Sequence, residues 1–125
     1  MDKLEYRLRT LTINDHDRMV KLWDNAGLAT KPKGRDSEAS IEAQMRACPE
    51  FFVGALEGSK LIGTVIASSD GRKGWINRLA VHPDYRRRGV AKALVAEAER
   101  ILRESGGVMF SALIMNRNRA SKRLF

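Results

Sequence analysis

From Leu79 to Leu94 the chain reads Leu-Ala-Val-His-Pro-Asp-Tyr-Arg-Arg-Arg-Gly-Val-Ala-Lys-Ala-Leu. The chemistry that this order and spacing allow is anion binding through the main chain. An apolar run ends at Val81, Pro83 interrupts it, and Gly89 leads straight into an apolar stripe with helical spacing. The first turn of a helix has N–H groups without internal partners, and the aligned peptide dipoles add partial positive charge there. A diphosphate is therefore stabilised at that end. Gly89 lets the backbone come close to it, where a Cβ would intrude, and small Ala91 keeps the next turn open. Arg86, Arg87, Arg88 and Lys92 supply charge. Each feature alone is common in solvated helices and packed turns. Their conjunction is not.

Other reactive side chains are sparse. Cys48, the single cysteine, reads as a small residue at a helix end and has no partner for an internal disulfide. His16 lies among Asp15 and Asp17 as a solvent-facing decoration of a helix, and no metal-ligand spacing surrounds it, so no metal is expected. Trp23 and Trp75 read as core or pocket wall.

The chain has 125 residues, 43% of them hydrophobic and 30% charged, which suits one globular domain with a modest core. No apolar run approaches the ~20 residues of a membrane span, and the charged start Met-Asp-Lys-Leu-Glu-Tyr-Arg does not read as a signal peptide. A cytoplasmic location is expected. The net charge of +8 implies an anionic partner but leaves nucleic acid, an acidic protein and a phosphorylated ligand open. Placement favours the last. The charge gathers in two foci, one around Gly89 and one at Arg117, Arg119, Lys122 and Arg123, rather than along a stripe with interleaved aromatics.

The elements around the Gly89 segment follow from periodicity and punctuation. Leu4 to Leu11 alternates as a strand. Thr12 and Asp15 are spaced as a capping box, opening a helix that runs to about Asn25 and stops at Gly27. After the basic loop Lys31-Pro32-Lys33-Gly34-Arg35, a second helix covers Ser37 to Ala47 and Pro49 ends it. Phe51 to Glu57 and Lys60 to Ser68 form a hairpin through Gly58-Ser59. Asp70 to Gly74 is a turn, and Trp75 to Val81 a fourth strand. Gly89 to Glu104 is a long amphipathic helix with Val90, Ala91, Leu94, Val95, Ala98, Ile101 and Leu102 on one stripe. Val108 to Met115 is an almost wholly apolar strand, covered on both faces, and Asn118 opens a last short helix.

With these residues in place the chain resembles the GNAT superfamily of N-acetyltransferases. Arg86-Arg87-Arg88-Gly89-Val90-Ala91 fits the family's Gln/Arg-x-x-Gly-x-Gly/Ala signature, Leu79 to Pro83 fits the strand before it, and the element order also agrees. The resemblance implies an α+β fold, layered α/β/α. Its central sheet would be mixed and mostly antiparallel, with a parallel, splayed pair of strands joined by a crossover helix. It also implies acetyl-coenzyme A (acetyl-CoA) as cosubstrate. The backbone of Leu79, Ala80 and Val81 would pair with the pantetheine arm, and the segment Arg86, Arg87, Arg88, Gly89, Val90, Ala91 and Lys92 would hold the pyrophosphate. Asn118, in the pattern Asn-x-x-Ala/Ser-x-x-Leu-Tyr/Phe, would contact the arm.

The activity implied is transfer of the acetyl group to a primary amine by direct attack in a ternary complex, with a backbone N–H near Val81 facing the oxyanion. Catalytic side chains are not assigned. Trp75 and Asn77 stand where some relatives carry a glutamate, and an amide cannot take a proton. Asn77 and His82 are the candidates, with Asp70 able to act through water. Phe125 stands where many relatives have a tyrosine. The acceptor, a small molecule or a protein amine, is open. Two other readings stay open: an acyl-CoA sensor of the same fold without turnover, and a basic nucleic-acid-binding module. Relatives continue into two more strands, so a domain truncated at its C-terminus is expected, or a homodimer in which a second copy covers the edge of the fifth strand.

Overall fold

The computed structural model describes residues 5–28, 34, 36–69, 73–104 and 109–110. Strand β1 (Arg7–Thr10) leads into a tight turn at Ile13–Asp15, then helix α1 (His16–Asn25) and helix α2 (Glu38–Ala47). Strands β2 (Phe52–Glu57), β3 (Lys60–Ser69) and β4 (Lys73–Val81) follow, then helix α3 (Val90–Glu104) and the described part of β5 (Met109–Phe110). The sheet order is β1-β2-β3-β4-β5. β1, β2, β3 and β4 pair antiparallel in sequence, whereas β4 and β5 run parallel with α3 as their crossover. Among the described residues no helix is long and apolar enough to cross a membrane.

The sheet is covered on both faces. A Cβ built on Gly63 of β3 would lie 2.9 Å from Leu94 Cδ1 and 3.2 Å from Val90 Cγ1, so that position faces α3. The neighbouring Thr64 faces the other way and receives a hydrogen bond from Trp23 of α1. Helical spacing explains both contacts. Met19, Leu22 and Trp23 of α1 are buried at i, i+3 and i+4, and the buried set of α3 is Val90, Ala91, Leu94, Val95, Ala98, Ile101 and Leu102. The stripe of α3 read from the sequence is the one the structure buries.

Boundaries moved in several places. β1 is shorter than Leu4–Leu11 among the described residues: Leu11 enters the core and its N–H bonds Phe52 O at 2.8 Å. Phe51 belongs to a tight turn opened by Pro49 rather than to β2. β4 starts at Lys73, ahead of Trp75, because Gly74 pairs with Ser69 on one side and Phe110 on the other. The turn expected over Asp70 to Gly74 therefore gives up its last two residues, and residues 70–72 lie outside the described set. The same holds for residues 111–115 of the fifth strand and for the final helix at Asn118.

One ion cluster fixes the start of α1. Asp15 is buried at 2% exposure, accepts from Thr12 N at 2.9 Å, and takes the Arg9 guanidinium at 2.9 and 3.0 Å on its two oxygens. Arg18 closes on the same carboxylate. Bonding to Arg9 outweighs burial and holds the Asp15 carboxyl at a pKa of about 2, below its ordinary 3.8.

Because that folded value is depressed, the stability Asp15 adds is fully present above its ordinary pKa and is lost as pH falls through about 2. That contribution is about 2 kcal/mol. In urea titrations the gap in stability between wild type and Asp15→Asn is expected to shrink steadily from pH 5 to pH 2; a gap independent of pH would refute the assignment. Gly63→Val is expected to force a methyl pair into α3 and lower stability by about 1–3 kcal/mol, read as a lower urea midpoint at unchanged slope.

Candidate functional site

The segment from His82 to Lys92 links the end of β4 to α3. Pro83–Tyr85 is one tight turn, in which Tyr85 N–H bonds His82 O at 2.8 Å and Asp84 N–H bonds His82 Nδ1 at 3.1 Å. Arg86, Arg87, Arg88 and Gly89 are exposed, and Val90 and Ala91 turn into the core. Arg87 (φ 67°) and Gly89 (φ 83°) both take the left-handed conformation. Alternation of that kind turns successive N–H groups toward one concavity, a backbone arrangement suited to anions. Gly89 O accepts from Ala93 N at 3.1 Å and so starts the α3 ladder. Among the described residues, the N–H groups of residues 87–92 meet no acceptor. A Cβ built on Gly89 meets nothing within 4 Å. Bare donors, an open approach and exposed arginines fit a diphosphate.

The arginines differ in employment. Arg86 is turned inward: its Nε donates to Val81 O at 3.3 Å and its Nη2 to Ala26 O, at the end of α1, at 3.2 Å. Its side chain braces the segment. Arg87, Arg88 and Lys92 project into solvent. Tyr85 is tied to the β2–β3 hairpin. Its O–H donates to Glu57 Oε1 at 2.5 Å, which holds the phenol above its usual pKa, and Lys60 Nζ lies 5.1 Å from the ring centroid.

The approach along β4 is also set by register. His82 N–H bonds Ile62 O at 2.8 Å, and the adjacent pair is Gly63↔Val81. Alternation in an antiparallel ladder makes that a non-hydrogen-bonded pair, so the N–H and C=O of Val81 point away from β3, toward the side where β5 lies. The carbonyl is the one Arg86 holds; the N–H meets no acceptor among the described residues. β4 and β5 pair at Lys73↔Met109 and Gly74↔Phe110. Leu79 and Ala80 are buried in the strand just before this point.

Of the side chains named as catalytic candidates, Asn77 donates through Nδ2 to Ser68 Oγ at 3.3 Å. His82 has its Nδ1 occupied within its own turn and its ring edge-on to Tyr85, the centroids 5.6 Å apart. The structure does not bring these two together. Asp70, Asn118 and Phe125 lie outside the described residues. Among the described residues no three His, Cys, Asp or Glu side chains gather as metal ligands would.

A buried polar network behind β4 was missed by sequence reasoning. Trp23 Nε1–H donates to Thr64 Oγ1 at 3.0 Å, and Thr64 Oγ1–H donates to Arg78 O at 3.0 Å. Arg78 Nη2 bonds the Asp36 carboxylate at 2.9 and 3.0 Å, and the guanidinium lies 5.0 Å from the Trp23 ring centroid. His16 Nε2 lies 2.8 Å from Asp36 O. His16 was expected to face solvent; its side chain is 13% exposed, turned toward Asp36 by this contact. Nothing local marks these residues, whose partners are 14 to 42 positions apart. The nearest signal was the inward place of Trp23 on α1.

The model of the acetyltransferase (GNAT) family matches residues 16–125. An acetyltransferase of Sodalis glossinidius is 30% identical over 113 residues, which cover 90% of this chain and 78% of that protein. One of Photorhabdus laumondii is 33% identical over 95 residues, covering 76% and 65%. Among solved structures, the PaiA N-acetyltransferase of Thermoplasma acidophilum in complex with coenzyme A superposes with a TM-score of 0.78 at 19% identity, covering 96% of this chain and 86% of that one. The diaminobutyrate acetyltransferase EctA of Paenibacillus lautus, in complex with L-2,4-diaminobutyric acid and coenzyme A, gives 0.75 at 20% identity, covering 98% and 74%. These two show the fold, and the family match and the relatives show the membership. The chain belongs to the acetyltransferase (GNAT) family and is an acyltransferase.

Proposed function

We propose that this acyltransferase moves the acetyl group of acetyl-CoA to a primary amine, by direct attack within a ternary complex. The observation that carries the proposal is the row of bare N–H groups at residues 87–92, opened by the left-handed Arg87 and Gly89 at the start of α3. There the diphosphate is held by main chain and dipole, and Arg87, Arg88 and Lys92 add attraction. Both solved relatives described above were captured with coenzyme A, which supports the same ligand class here.

From the diphosphate the pantetheine arm runs back along the side of β4 where β5 lies, past Val81, Ala80 and Leu79. The neutral amine adds its lone pair to the thioester carbonyl carbon, and Val81 N–H donates to the oxygen as it becomes an oxyanion. The C–S bond then breaks, the amide forms, and the proton from the amine leaves as the thiolate is protonated. No side-chain nucleophile takes part. Asn77 can orient water or the acceptor but cannot hold the proton, so proton transfer passes through solvent. The acceptor is a primary amine, of a small molecule or of a protein.

Gly89→Glu puts a carboxylate where the diphosphate belongs; its Cβ touches nothing in the protein, and the left-handed backbone at φ 83° adds a strain of about 1–2 kcal/mol. In a thermal-shift titration, wild type is expected to gain roughly 10 °C in Tm with coenzyme A at about 100 times Kd. The variant should stay folded and gain almost nothing. Equal gains for both would remove the cradle from this position.

A further inference from the structure

The strained point of β4 lies upstream of the cradle. Between the pairs Thr64↔Ala80 and Ile66↔Asn77, β4 carries two residues, Arg78 and Leu79, against Val65 alone, which makes a bulge. Arg78 takes φ 51° there. A long side chain in left-handed backbone persists when its surroundings over-determine it, and the network behind β4 does so from two directions. Thr64 is fully buried, and its hydroxyl receives Trp23 Nε1–H, which leaves its own proton for Arg78 O. At the other end of the residue, Asp36 and the Trp23 ring hold the guanidinium, and His16 holds the main chain of Asp36. The bulge, α1 and the residue just before the N-cap of α2 thus form one hydrogen-bonded unit.

A bulge re-aims the strand beyond it. Val81, whose N–H points to the side of β4 where β5 lies, follows Arg78 by three positions. We propose that Asp36, Arg78, Thr64 and Trp23 act as a positioning clamp. It fixes the bulge and so the direction in which Val81 N–H meets the thioester oxygen, and it ties that aim to the segment between α1 and α2. These are positioning residues, since each acts through the β4 backbone rather than on the reacting atoms. The inference rests on the acetyl-CoA reading above and adds to it a device that the Arg86–Lys92 cradle does not need.

The clamp can be read without knowing the acceptor. Acetyl-CoA labelled with 13C at the thioester carbonyl reports the hydrogen bond to its oxygen as a downfield shift on binding. Wild type is expected to show that shift. Thr64→Val, which keeps the shape but removes the hydroxyl, should lose most of it while its Kd for coenzyme A stays within about threefold of wild type. Asp36→Asn should behave alike, and Thr64→Ser, which restores the hydroxyl, should regain the shift. A merely structural role would lower Tm without moving the resonance of the bound ligand. A wild-type shift retained by folded Thr64→Val would overturn the clamp and leave the acetyl-CoA reading standing. Wild type that binds coenzyme A but shows no carbonyl shift would overturn the role given to Val81 and the clamp together. Wild type that binds neither ligand would overturn the acetyl-CoA reading itself, and the clamp with it.

Discussion

A helix cannot satisfy its own first N–H groups, and those of α3 meet no acceptor among the described residues. That constraint needs a strand to deliver the chain to the helix start and a turn tight enough to avoid capping it. β4 and the Pro83–Tyr85 turn meet both needs. Gly89 contributes its carbonyl to the α3 ladder and no side chain to the approach. The apolar stripe of α3 then fastens the helix against β3 and β4, so the donors at its tip are held by the core rather than by local contacts.

Arg86 is the link between the two faces of the sheet. Its guanidinium spans from Val81 O, at the end of β4, to Ala26 O, at the end of α1. Cations at a helix C-terminus oppose the negative end of its dipole, so one side chain both closes α1 and holds the entry to α3. Tyr85, through Glu57, adds a third tether to the β2–β3 hairpin. The segment is exposed, yet its approach is bound on three sides.

What the sequence disclosed and what it hid divide along a physical line. Pro83, Gly89 and the 3.6-residue stripe after it are punctuation and period, which act over a few positions and can be read in one dimension. The family signature from Arg86 to Ala91 sits on those same positions. Which arginine turns inward was not legible, because Arg86, Arg87 and Arg88 are chemically identical and the acceptor for Arg86 is 60 positions away. Nor was the Asp36–Arg78 pair, since a part-buried ion pair across 42 positions leaves no local pattern. The bulge at Arg78 was hidden for the related reason that left-handed backbone usually announces itself as glycine, and here it is enforced by neighbours on a residue that would not choose it.

Arg87 is held in the same unfavourable conformation, at φ 67°, on a residue with a full side chain. Such backbone costs roughly 1–2 kcal/mol relative to the right-handed form. On the proposed diphosphate reading, the concavity is assembled before the anion arrives, and the cost of shaping it falls on folding instead of on association. On that reading, fold stability and ligand affinity oppose one another at this residue: a glycine there would relax the free protein, yet hand part of the ordering entropy back to the moment of binding.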